Sequence, residues 1–220
     1  MNQHAVDADR ALVLVVDDDE RVRLSIQELV ESVGLDAACF GSAKELLESE
    51  LCERPGCLIL DVRLPGLSGL DFQRNLVSSG NMKPVVFLTG HGDIPMSVEA
   101  MKGGAVDFLT KPVRDQSLLD AITTGIARDL AQRAAARAVQ QHIERFETLT
   151  GRERQMLREV SRGRVNKQIA FDLGISVVTV KLHRAKLMRK MHATSVGDLI
   201  RAWETLPTSV REQQVSPKTT

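Results

Sequence analysis

The 220-residue sequence predicts an α/β fold, a doubly wound five-stranded parallel sheet, joined by a helical linker to a small all-α domain. Three observations support this prediction. Short apolar runs alternate with amphipathic stretches through residues 12–128, the apolar period becomes helical throughout residues 148–206, and the net charge changes sign between the two halves of the chain.

Five short runs of apolar residues are the predicted strands. They are nearly continuous in apolar side chains, which is typical of parallel strands that are buried on both faces. The amphipathic stretches between them predict five helices, of which the second begins with a capping box at Ser42 and Glu45 and the fourth is capped by Asp93. The predicted strands are residues 12–16, 36–40, 57–61, 84–89 and 107–111.

The rest of the chain predicts helices. Residues 129–147 are rich in Ala, Arg and Gln and contain neither Gly nor Pro, so they predict a helical linker that continues the fifth helix, with a coiled coil as an alternative. Thr150, Asn166, Ser176 and Ser195 are predicted to cap the helices that follow. The predicted organisation is a first domain at 10–128, the linker at 129–147, a second domain at 148–206 and a disordered tail at 207–220.

The neutral total charge conceals two halves of opposite charge. Residues 1–128 contain 20 acidic and 12 basic residues, a net charge of −8, whereas residues 129–220 contain 9 acidic and 17 basic residues, a net charge of +8. This asymmetry favours two modules, the second of which binds a polyanion such as nucleic acid. The alternative is two solvated surfaces that differ in charge by chance.

Composition excludes several other classes of protein. Cys39, Cys52 and Cys57 lack metal-ligand spacing, and Cys39 and Cys57 lie in apolar runs, so we expect reduced core residues. No apolar span is long enough to cross a membrane, and residues 1–10 lack the core of a signal peptide, so a soluble cytoplasmic protein is expected. With 3% aromatic residues, a stacking platform for single-stranded nucleic acid is disfavoured.

Four of the apolar runs end on residues that suit the handling of a phosphoryl group. Asp17 and Asp18 follow the first run, Asp61 follows the third, and Thr89 and Lys111 end the last two. Because the carboxyl ends of parallel strands share one edge of a sheet, these side chains are expected to meet in one pocket.

Each residue type in this set has a chemical role in phosphoryl transfer. Adjacent carboxylates such as Asp17 and Asp18 can bind Mg²⁺, and Asp61 can be both a ligand and a nucleophile that forms an acyl phosphate. The Lys111 ammonium can neutralise the transferred oxygens, and the Thr89 hydroxyl can donate to one of them. Asp19 and Glu20 are interpreted instead as first-turn residues of a helix.

These motifs resemble the receiver domain of two-component response regulators. The resemblance rests on Val16-Asp17-Asp18, the segment from Leu60 to Gly69, Thr89-Gly90-His91-Gly92 and Lys111-Pro112. It implies that Asp61 accepts a phosphoryl group from a sensor histidine kinase, with Mg²⁺ held by Asp17, Asp18, Asp61 and the backbone carbonyl of Arg63. It also implies that Thr89 and Phe108 form the switch and that the bond before Pro112 is cis. The sequence around His91 predicts separately that this residue lies in a loop near the site and is not a ligand. Since Phe108 lacks a hydroxyl, only its packing can report the switch.

The basic half predicts a helix, a tight turn and a second helix that carries several cations. This pattern suits a DNA groove lined by phosphates, although a helical bundle with a solvated basic face is the alternative. Three motifs in this half resemble the LuxR-type helix-turn-helix. They are Leu149-Thr150-Gly151-Arg152-Glu153-Arg154, Asn166-Lys167-Gln168-Ile169-Ala170 and Thr179-Val180-Lys181-Leu182-His183. With the receiver, they make the chain similar to the NarL/FixJ family of transcriptional regulators.

That resemblance implies a second helix in the major groove and a terminal helix, 195–205, that forms a dimer contact. Lys181, Leu182 and Ala185 share one face, and Lys181 is the strongest candidate for reading a guanine edge. Arg184, Lys186 and Arg189 are interpreted as phosphate contacts, which position a protein without specifying a sequence. The predicted DNA-binding residues are Thr179, Lys181, Leu182, Arg184, Ala185, Lys186 and Arg189.

The sequence therefore predicts a phosphorylation-activated transcriptional regulator that is not an enzyme. The expected partners are a sensor histidine kinase, promoter DNA, RNA polymerase and, on phosphorylation, a second copy of the chain. No association with a membrane is expected. One alternative is an aspartyl-phosphate phosphatase of the haloacid dehalogenase type, which needs an acid two residues after the nucleophile, where this chain has Arg63. Another is a phosphorelay binding module without DNA-binding activity, which the basic second half disfavours.

Overall fold

A computed structural model of the chain describes residues 10–90 and 93–212. The chain divides into two compact units, a first unit at Met1–Arg133 and a second unit at Ala134–Thr220. The first unit contains a five-stranded sheet in which every neighbouring pair of strands is parallel, in the order β2-β1-β3-β4-β5. The strands are β1 (Leu12–Val16), β2 (Asp36–Phe40), β3 (Gly56–Leu60), β4 (Val85–Thr89) and β5 (Asp107–Thr110).

Helices cover both faces of this sheet, so the predicted doubly wound architecture is confirmed. These helices are α1 (Glu20–Ser32), α2 (Ala43–Glu48), α3 (Gly69–Ser78), α4 (Ile94–Lys102) and α5 (Asp115–Glu147). Helices α1 and α5 bury residues such as Val30 and Ile122 against one face of the sheet. Helices α2, α3 and α4 bury residues such as Leu46, Phe72 and Ala100 against the other. The inner strands β1, β3 and β4 are buried throughout, which explains their continuous apolar sequences, whereas β2 and β5 at the edges are partly exposed.

The register of the strands brings their carboxyl ends to one edge of the sheet. Val16 pairs with Leu60, Leu60 with Phe87, and Thr89 with Thr110. Every predicted strand boundary lies within one residue of the observed boundary. The polar residues that follow β1, β3 and β5 therefore lie next to one another, as the motif analysis predicted.

A buried polar network holds the opposite edge of the sheet. The Asp129 carboxylate, on α5, accepts hydrogen bonds from the Gly56 backbone nitrogen at 2.8 Å and from Arg133 Nε at 2.7 Å. Lys83 is buried nearby and donates from Nζ to the Arg54 carbonyl at 2.5 Å. Gly56 has a φ of 138°, and a Cβ there would lie 1.9 Å from the carbonyl oxygen of Leu12. The sequence analysis did not identify this network, which anchors α5 to the start of β3.

The cysteines are free thiols, in agreement with the expectation of reduced core residues. Cys52 and Cys57 are buried and Cys39 is half-buried. Burial raises the pKa of the Cys57 thiol to about 12. Cys57 is therefore a protonated apolar side chain in the core and not a reactive thiolate.

Helix α5 is 33 residues long and runs without a break from the first unit into the second. It includes all of residues 129–147, so the predicted continuation of the fifth helix is confirmed. The proposed domain boundaries at 128 and 148 stay predictions: α5 passes through the first without a break and ends at Glu147, next to the second, while the two compact units divide after Arg133. Among the helices of residues 10–90 and 93–212, none combines the length and apolar character that a bilayer span requires.

The second unit is all helical and has its own core. Its buried residues include Phe146, Met156, Leu157, Leu187 and Leu199. Besides the end of α5, its helices are α6 (Gly151–Ser161), α7 (Asn166–Leu173), α8 (Val177–Lys190), α9 (Val196–Thr205) and α10 (Thr208–Arg211).

Three local predictions need correction. The Ser42 capping box is half formed, because the Glu45 carboxylate accepts from the Gly41 nitrogen, at 2.8 Å, and not from the Ser42 nitrogen. Asn166 is not an N-cap: it is the first residue of α7, and its side chain accepts a hydrogen bond from Arg184. The tail predicted as disordered begins with α10, whose Val210 packs against the core of the second unit. Residues 213–220 of that tail lie outside the described residues.

Candidate functional site

Four of the predicted phosphoryl-handling residues lie at the carboxyl edge of the sheet. Asp17 follows β1 directly, Asp61 follows β3, Thr89 is the last residue of β4, and Lys111 follows β5. Asp17, Asp61 and Thr89 are buried, whereas Lys111 is partly exposed. Parallel strands place these side chains together although up to 94 residues separate them in sequence.

Lys111 joins the two buried carboxylates. Its Nζ donates a hydrogen bond to Asp17 Oδ2 and another, 2.8 Å long, to Asp61 Oδ2. Burial alone would lower the pKa of the ammonium, but the hydrogen bonds to Asp17 and Asp61 outweigh it, and the pKa of Lys111 is raised. Burial raises the pKa of Asp17, against the opposing effect of Lys111. One positive charge is therefore fixed between two acidic groups that repel each other.

The acidic residues form a group with the geometry of a cation site. Carboxylate oxygens of Asp17, Asp18 and Asp61 all lie within 4.8 Å of one another. Asp17 and Asp61 are buried and Asp18 is exposed, so the group opens to solvent on one side. A set of hard carboxylate oxygens with an open side fits Mg²⁺, which keeps several waters and binds one or two carboxylates.

Asp19 lies at the start of the first helix, but it is the N-cap residue and not, as was predicted, a residue of the first turn. It is the N-cap of α1, and its carboxylate accepts a hydrogen bond from the Arg21 nitrogen at 2.9 Å. Its own backbone nitrogen donates to Asp17 Oδ1 at 3.0 Å. Glu20 is the first-turn acidic residue that was predicted. The run of acidic residues is therefore divided between carboxylates grouped with Asp61 and residues that start a helix.

Two residues that position the acidic groups were missed by the sequence analysis. Arg23, on α1, donates from Nη1 to the carbonyl oxygens of Asp17 at 2.7 Å and Asp18 at 3.0 Å, so it holds the loop by its backbone. Gly69 opens α3 directly against the Asp61 carbonyl, where a Cβ would lie 2.2 Å from the oxygen. A glycine at the first position of a predicted helix is a sequence signal that could have identified Gly69.

The segment after Asp61 turns away from the site. The Arg63 side chain is exposed, and its backbone nitrogen donates to Asp61 Oδ1 at 2.9 Å. This hydrogen bond fixes one carboxylate oxygen of Asp61, while Lys111 contacts the other. These two hydrogen bonds hold the Asp61 carboxylate in one orientation beside Asp17 and Asp18.

Thr89 and Phe108 lie on the two last strands of the sheet. The Thr89 carbonyl accepts from the Lys111 nitrogen at 2.9 Å, which joins the strand end to the lysine loop. The Phe108 ring is half-buried and packs on Phe87 with the ring centroids 6.1 Å apart. The peptide bond between Lys111 and Pro112 is cis, as the resemblance implied. His91 lies outside the described residues.

In the second unit, α7 and α8 form a helix-turn-helix. Gly174 ends α7 with a φ of 63°, and the Ser176 hydroxyl caps α8 by accepting from the Thr179 nitrogen at 3.0 Å. Val180 and Leu187 are fully buried and fix the inner side of α8. The cations at Lys181, Lys186 and Arg189 lie on exposed positions of the same helix.

Two of the predicted DNA-binding residues are occupied with other contacts inside the second unit. Arg184 donates from Nη1 to Asn166 Oδ1 at 2.7 Å, which ties α8 to the start of α7. The Thr179 hydroxyl lies 2.8 Å from the Ser176 hydroxyl at the helix cap. Both side chains therefore support the geometry of the helix-turn-helix, and the exposed positions 181, 182, 185, 186 and 189 are left to face a ligand.

A buried ion pair holds the end of α8 to the start of α6. Glu153 Oε2 accepts from Lys190 Nζ at 2.7 Å, and it also closes the predicted capping box by accepting from the Thr150 nitrogen at 2.8 Å. Lys190 donates further to the Thr148 carbonyl at 3.0 Å. Burial acts to raise the pKa of Glu153, but the Lys190 and Thr150 hydrogen bonds outweigh it and hold the pKa below its ordinary value.

Comparison with known protein families agrees with this division of the chain. The family described as response regulator receiver domain matches residues 13–123. The family described as bacterial regulatory proteins, luxR family, matches residues 147–203. The two matches define the class of protein, a receiver domain followed by a LuxR-type DNA-binding domain.

Similar proteins match nearly the whole chain. Nodulation protein W of Bradyrhizobium diazoefficiens is 49% identical over 211 residues, which are 96% of this chain and 93% of that protein. The response regulator protein TodT of Pseudomonas putida is 48% identical over 92% of this chain and 90% of its own length. The solved structure of the response regulator StyR has a TM-score of 0.79 at 45% identity, covering 89% of this chain and 98% of that one. The chain belongs to the NarL/FixJ family of two-component response regulators, which are phosphorylation-dependent transcriptional regulators.

The Glu153 ion pair predicts a pH-dependent stability of the second unit. Replacing Glu153 with Gln should lower the free energy of unfolding by about 1–3 kcal/mol at pH 7, because Lys190 loses its charged partner. Since folding lowers the pKa of Glu153, its contribution is present above the ordinary pKa of 4.5 and is lost as the pH falls through the lowered value. Urea unfolding of the full chain between pH 3 and pH 7 (about four pH units) measures both effects.

Glu204→Gln is the matched control, because Glu204 is exposed on α9 of the same unit. This variant should unfold like the unmodified chain at every pH. If Glu153→Gln lost no stability at pH 7, the ion pair would not stabilise the second unit. If the variant lost as much stability at pH 3 as at pH 7, the loss would not come from the charge of Glu153.

Proposed function

We propose that Asp61 is the residue that accepts the phosphoryl group. Its carboxylate lies at the end of β3, close to the carboxylates of Asp17 and Asp18, and its two oxygens accept hydrogen bonds from the Arg63 backbone nitrogen and from Lys111. In the reaction, a carboxylate oxygen of Asp61 bonds to phosphorus while the bond from phosphorus to the donor's nitrogen breaks, and the donor keeps that electron pair. The product is an acyl phosphate, and the donor by family is a sensor histidine kinase.

The residues around Asp61 fit the further requirements of this transfer. Lys111 is within hydrogen-bonding distance of the accepting carboxylate and can neutralise an oxygen of the incoming group. Asp17, Asp18, Asp61 and the backbone carbonyl of Arg63 would hold Mg²⁺, supported by the spacing of the carboxylate oxygens. When bound, Mg²⁺ supplies positive charge that offsets the charge of the phosphoryl oxygens.

Thr89 and Phe108 are proposed as the switch. Thr89 is buried at the end of β4, next to the strand that carries Phe108. If the Thr89 hydroxyl moved toward a phosphoryl group on Asp61, it would leave space for the Phe108 ring. The Phe108 ring has no hydroxyl, and its packing against Phe87 is the property that can change. Phosphorylation shifts the population of receivers only to the extent that the two conformations bind the phosphoryl group with different affinity.

The output is proposed to be binding of promoter DNA by α8, with contacts to RNA polymerase and a homodimer as further consequences. The exposed cations of α8 support the proposal that this helix binds in a groove lined by phosphates. Lys181, Leu182 and Ala185 would face the bases, and Lys186 and Arg189 the phosphates. Thr179 and Arg184, which bond within the unit, would hold the helix-turn-helix in position.

A hydrolytic enzyme is the less favoured function. A haloacid dehalogenase phosphatase needs an acid two residues after its nucleophile, and Arg63 is neither an acid nor directed into the site. A phosphorelay module without DNA binding is disfavoured by the match of residues 147–203 to the luxR family. We therefore propose that the phosphorylated carboxylate is a signal and not a catalytic intermediate.

Replacing Asp61 with Asn tests the site of phosphorylation. Asparagine keeps the shape of the side chain but is a poor nucleophile, so the variant should lose all labelling by acetyl phosphate in the presence of Mg²⁺. Intact-mass measurement of the full chain gives the fraction labelled. Asp120→Asn, an exposed change on α5, is the control and should label normally. A label that persists at Asp17 or Asp18 in the first variant would contradict the assignment.

Phosphorylation is expected to increase the dimer fraction of the chain. Sedimentation of the acetyl phosphate-treated protein over a range of concentrations should show tighter self-association than the untreated protein. The Asp61→Asn variant, treated identically, should sediment like the untreated protein. If labelled and unlabelled chains sedimented alike, phosphorylation would act by releasing the DNA-binding unit, without pairing.

Replacing Lys181 with Ala tests the contact with the bases. The loss of a hydrogen bond to a base should weaken binding to the promoter by about 1–3 kcal/mol and relax the preference at one position. Competition binding with promoter and random-sequence duplexes separates these effects. Lys44→Ala, which removes an exposed lysine of the first unit, should leave both affinities unchanged. Equal losses on promoter and random DNA would make Lys181 a phosphate contact.

A further inference from the structure

The outward side of α8 carries a row of apolar side chains. The buried residues Val180 and Leu187 define the inner side of the helix. At about 100° per residue, Val178, Leu182 and Ala185 lie within about 40° of the direction opposite to them. Their spacing of four and three residues places them one above another along the helix. This row is called the apolar stripe below.

The apolar stripe is open to solvent. Val178 is 76% exposed and Leu182 is 56% exposed, and Ala185 is also exposed. By contrast, the apolar residues on the inner side of α8 are fully buried. Val178 is not among the residues that pack in the core of the second unit, so the row is available for contact with a ligand.

Cations border the apolar stripe on both sides. Lys181 lies about 60° from Val178 in one direction around the helix, and Lys186 lies about 80° from it in the other. Both side chains are exposed, and Arg189 continues the exposed face beyond Ala185. Cations beside an apolar row match the major groove, whose floor carries guanine edges as well as thymine methyl groups and whose walls carry phosphates, which favours DNA over an apolar protein surface.

The floor of the major groove offers one apolar group, the C5 methyl of thymine. We propose that Val178, Leu182 and Ala185 read thymine methyl groups, so that the sequence preference of this chain comes in large part from methyl contacts. This inference deepens the proposed function and rests on the insertion of α8 into the major groove. It adds Val178 to the residues that determine specificity and gives Leu182 and Ala185 a defined base partner.

Deoxyuridine supplies a direct test, because it differs from thymidine in the major groove only by the missing methyl group. Duplexes bound by the phosphorylated full chain are first selected from a random-sequence pool. Each thymine of the selected half-site is then replaced by deoxyuridine, and the affinity is measured. Loss of one buried methyl should weaken binding about four-fold, and replacement of two contacted thymines about 15-fold.

The same replacement in variants identifies the side chains. Val178→Ala and Leu182→Ala should bind the thymine duplex more weakly than the unmodified chain, and each should lose sensitivity to deoxyuridine at one position. Val77→Ala is the matched control, since Val77 is 46% exposed on α3 of the first unit. It should keep the full four-fold sensitivity. Both α8 substitutions are at exposed positions, and circular dichroism checks that the helices are retained.

The possible failures are distinguishable. If the chain selects a sequence but binds thymine and deoxyuridine duplexes equally, the methyl contact is wrong while DNA binding by α8 stands. If no duplex is enriched, the proposed function fails along with the inference. If Val178→Ala and Leu182→Ala retain both affinity and deoxyuridine sensitivity, the apolar stripe does not face the bases and serves a protein partner instead.

Discussion

The Lys111 ammonium between Asp17 and Asp61 is the interaction around which the first unit is organised. Two buried carboxylates at such close range repel each other, and the lysine offsets this repulsion. The contact joins the ends of β1, β3 and β5, which meet only when all parallel strands are in register. A phosphoryl group on Asp61 would add negative charge where the positive charge is already fixed. With Asp61 as the proposed acceptor, phosphorylation would therefore act on the contact that holds the unit together.

In the second unit, an ion pair between a buried carboxylate and a lysine fixes the orientation of a helix. Glu153 and Lys190 form a buried pair that ties the beginning of α6 to the end of α8, and Arg184 ties α8 to α7 through Asn166. These contacts fix the rotation of α8 about its own axis. Its inner side is then committed to Val180 and Leu187, and its outer side presents the apolar stripe between cations. In the proposed complex, specificity for DNA would thus depend on interactions that do not touch DNA.

Much of the first unit could be predicted because its signals are local. Continuous apolar runs predicted each strand to within one residue, and the residues that end four of the five runs predicted which polar side chains meet at the edge of the sheet. Prediction failed where a side chain had a choice of partner. The Glu45 carboxylate reaches Gly41 instead of Ser42, and the Asn166 side chain binds Arg184 instead of capping α7. The polar composition after residue 206 likewise concealed Val210, a single apolar residue with a place in the core.

The sequence by itself determined which residues are strands, which acidic and basic groups follow them, and which helix carries the cations. These properties depend on residue type and spacing, which a chain carries before it folds. Only the tertiary structure decided that Arg23 and Gly69 position the acidic groups, since both act through backbone atoms of residues outside their own helices. It also decided that Arg184 faces inward and Val178 outward on α8, because the rotation of a helix is set by what packs against it.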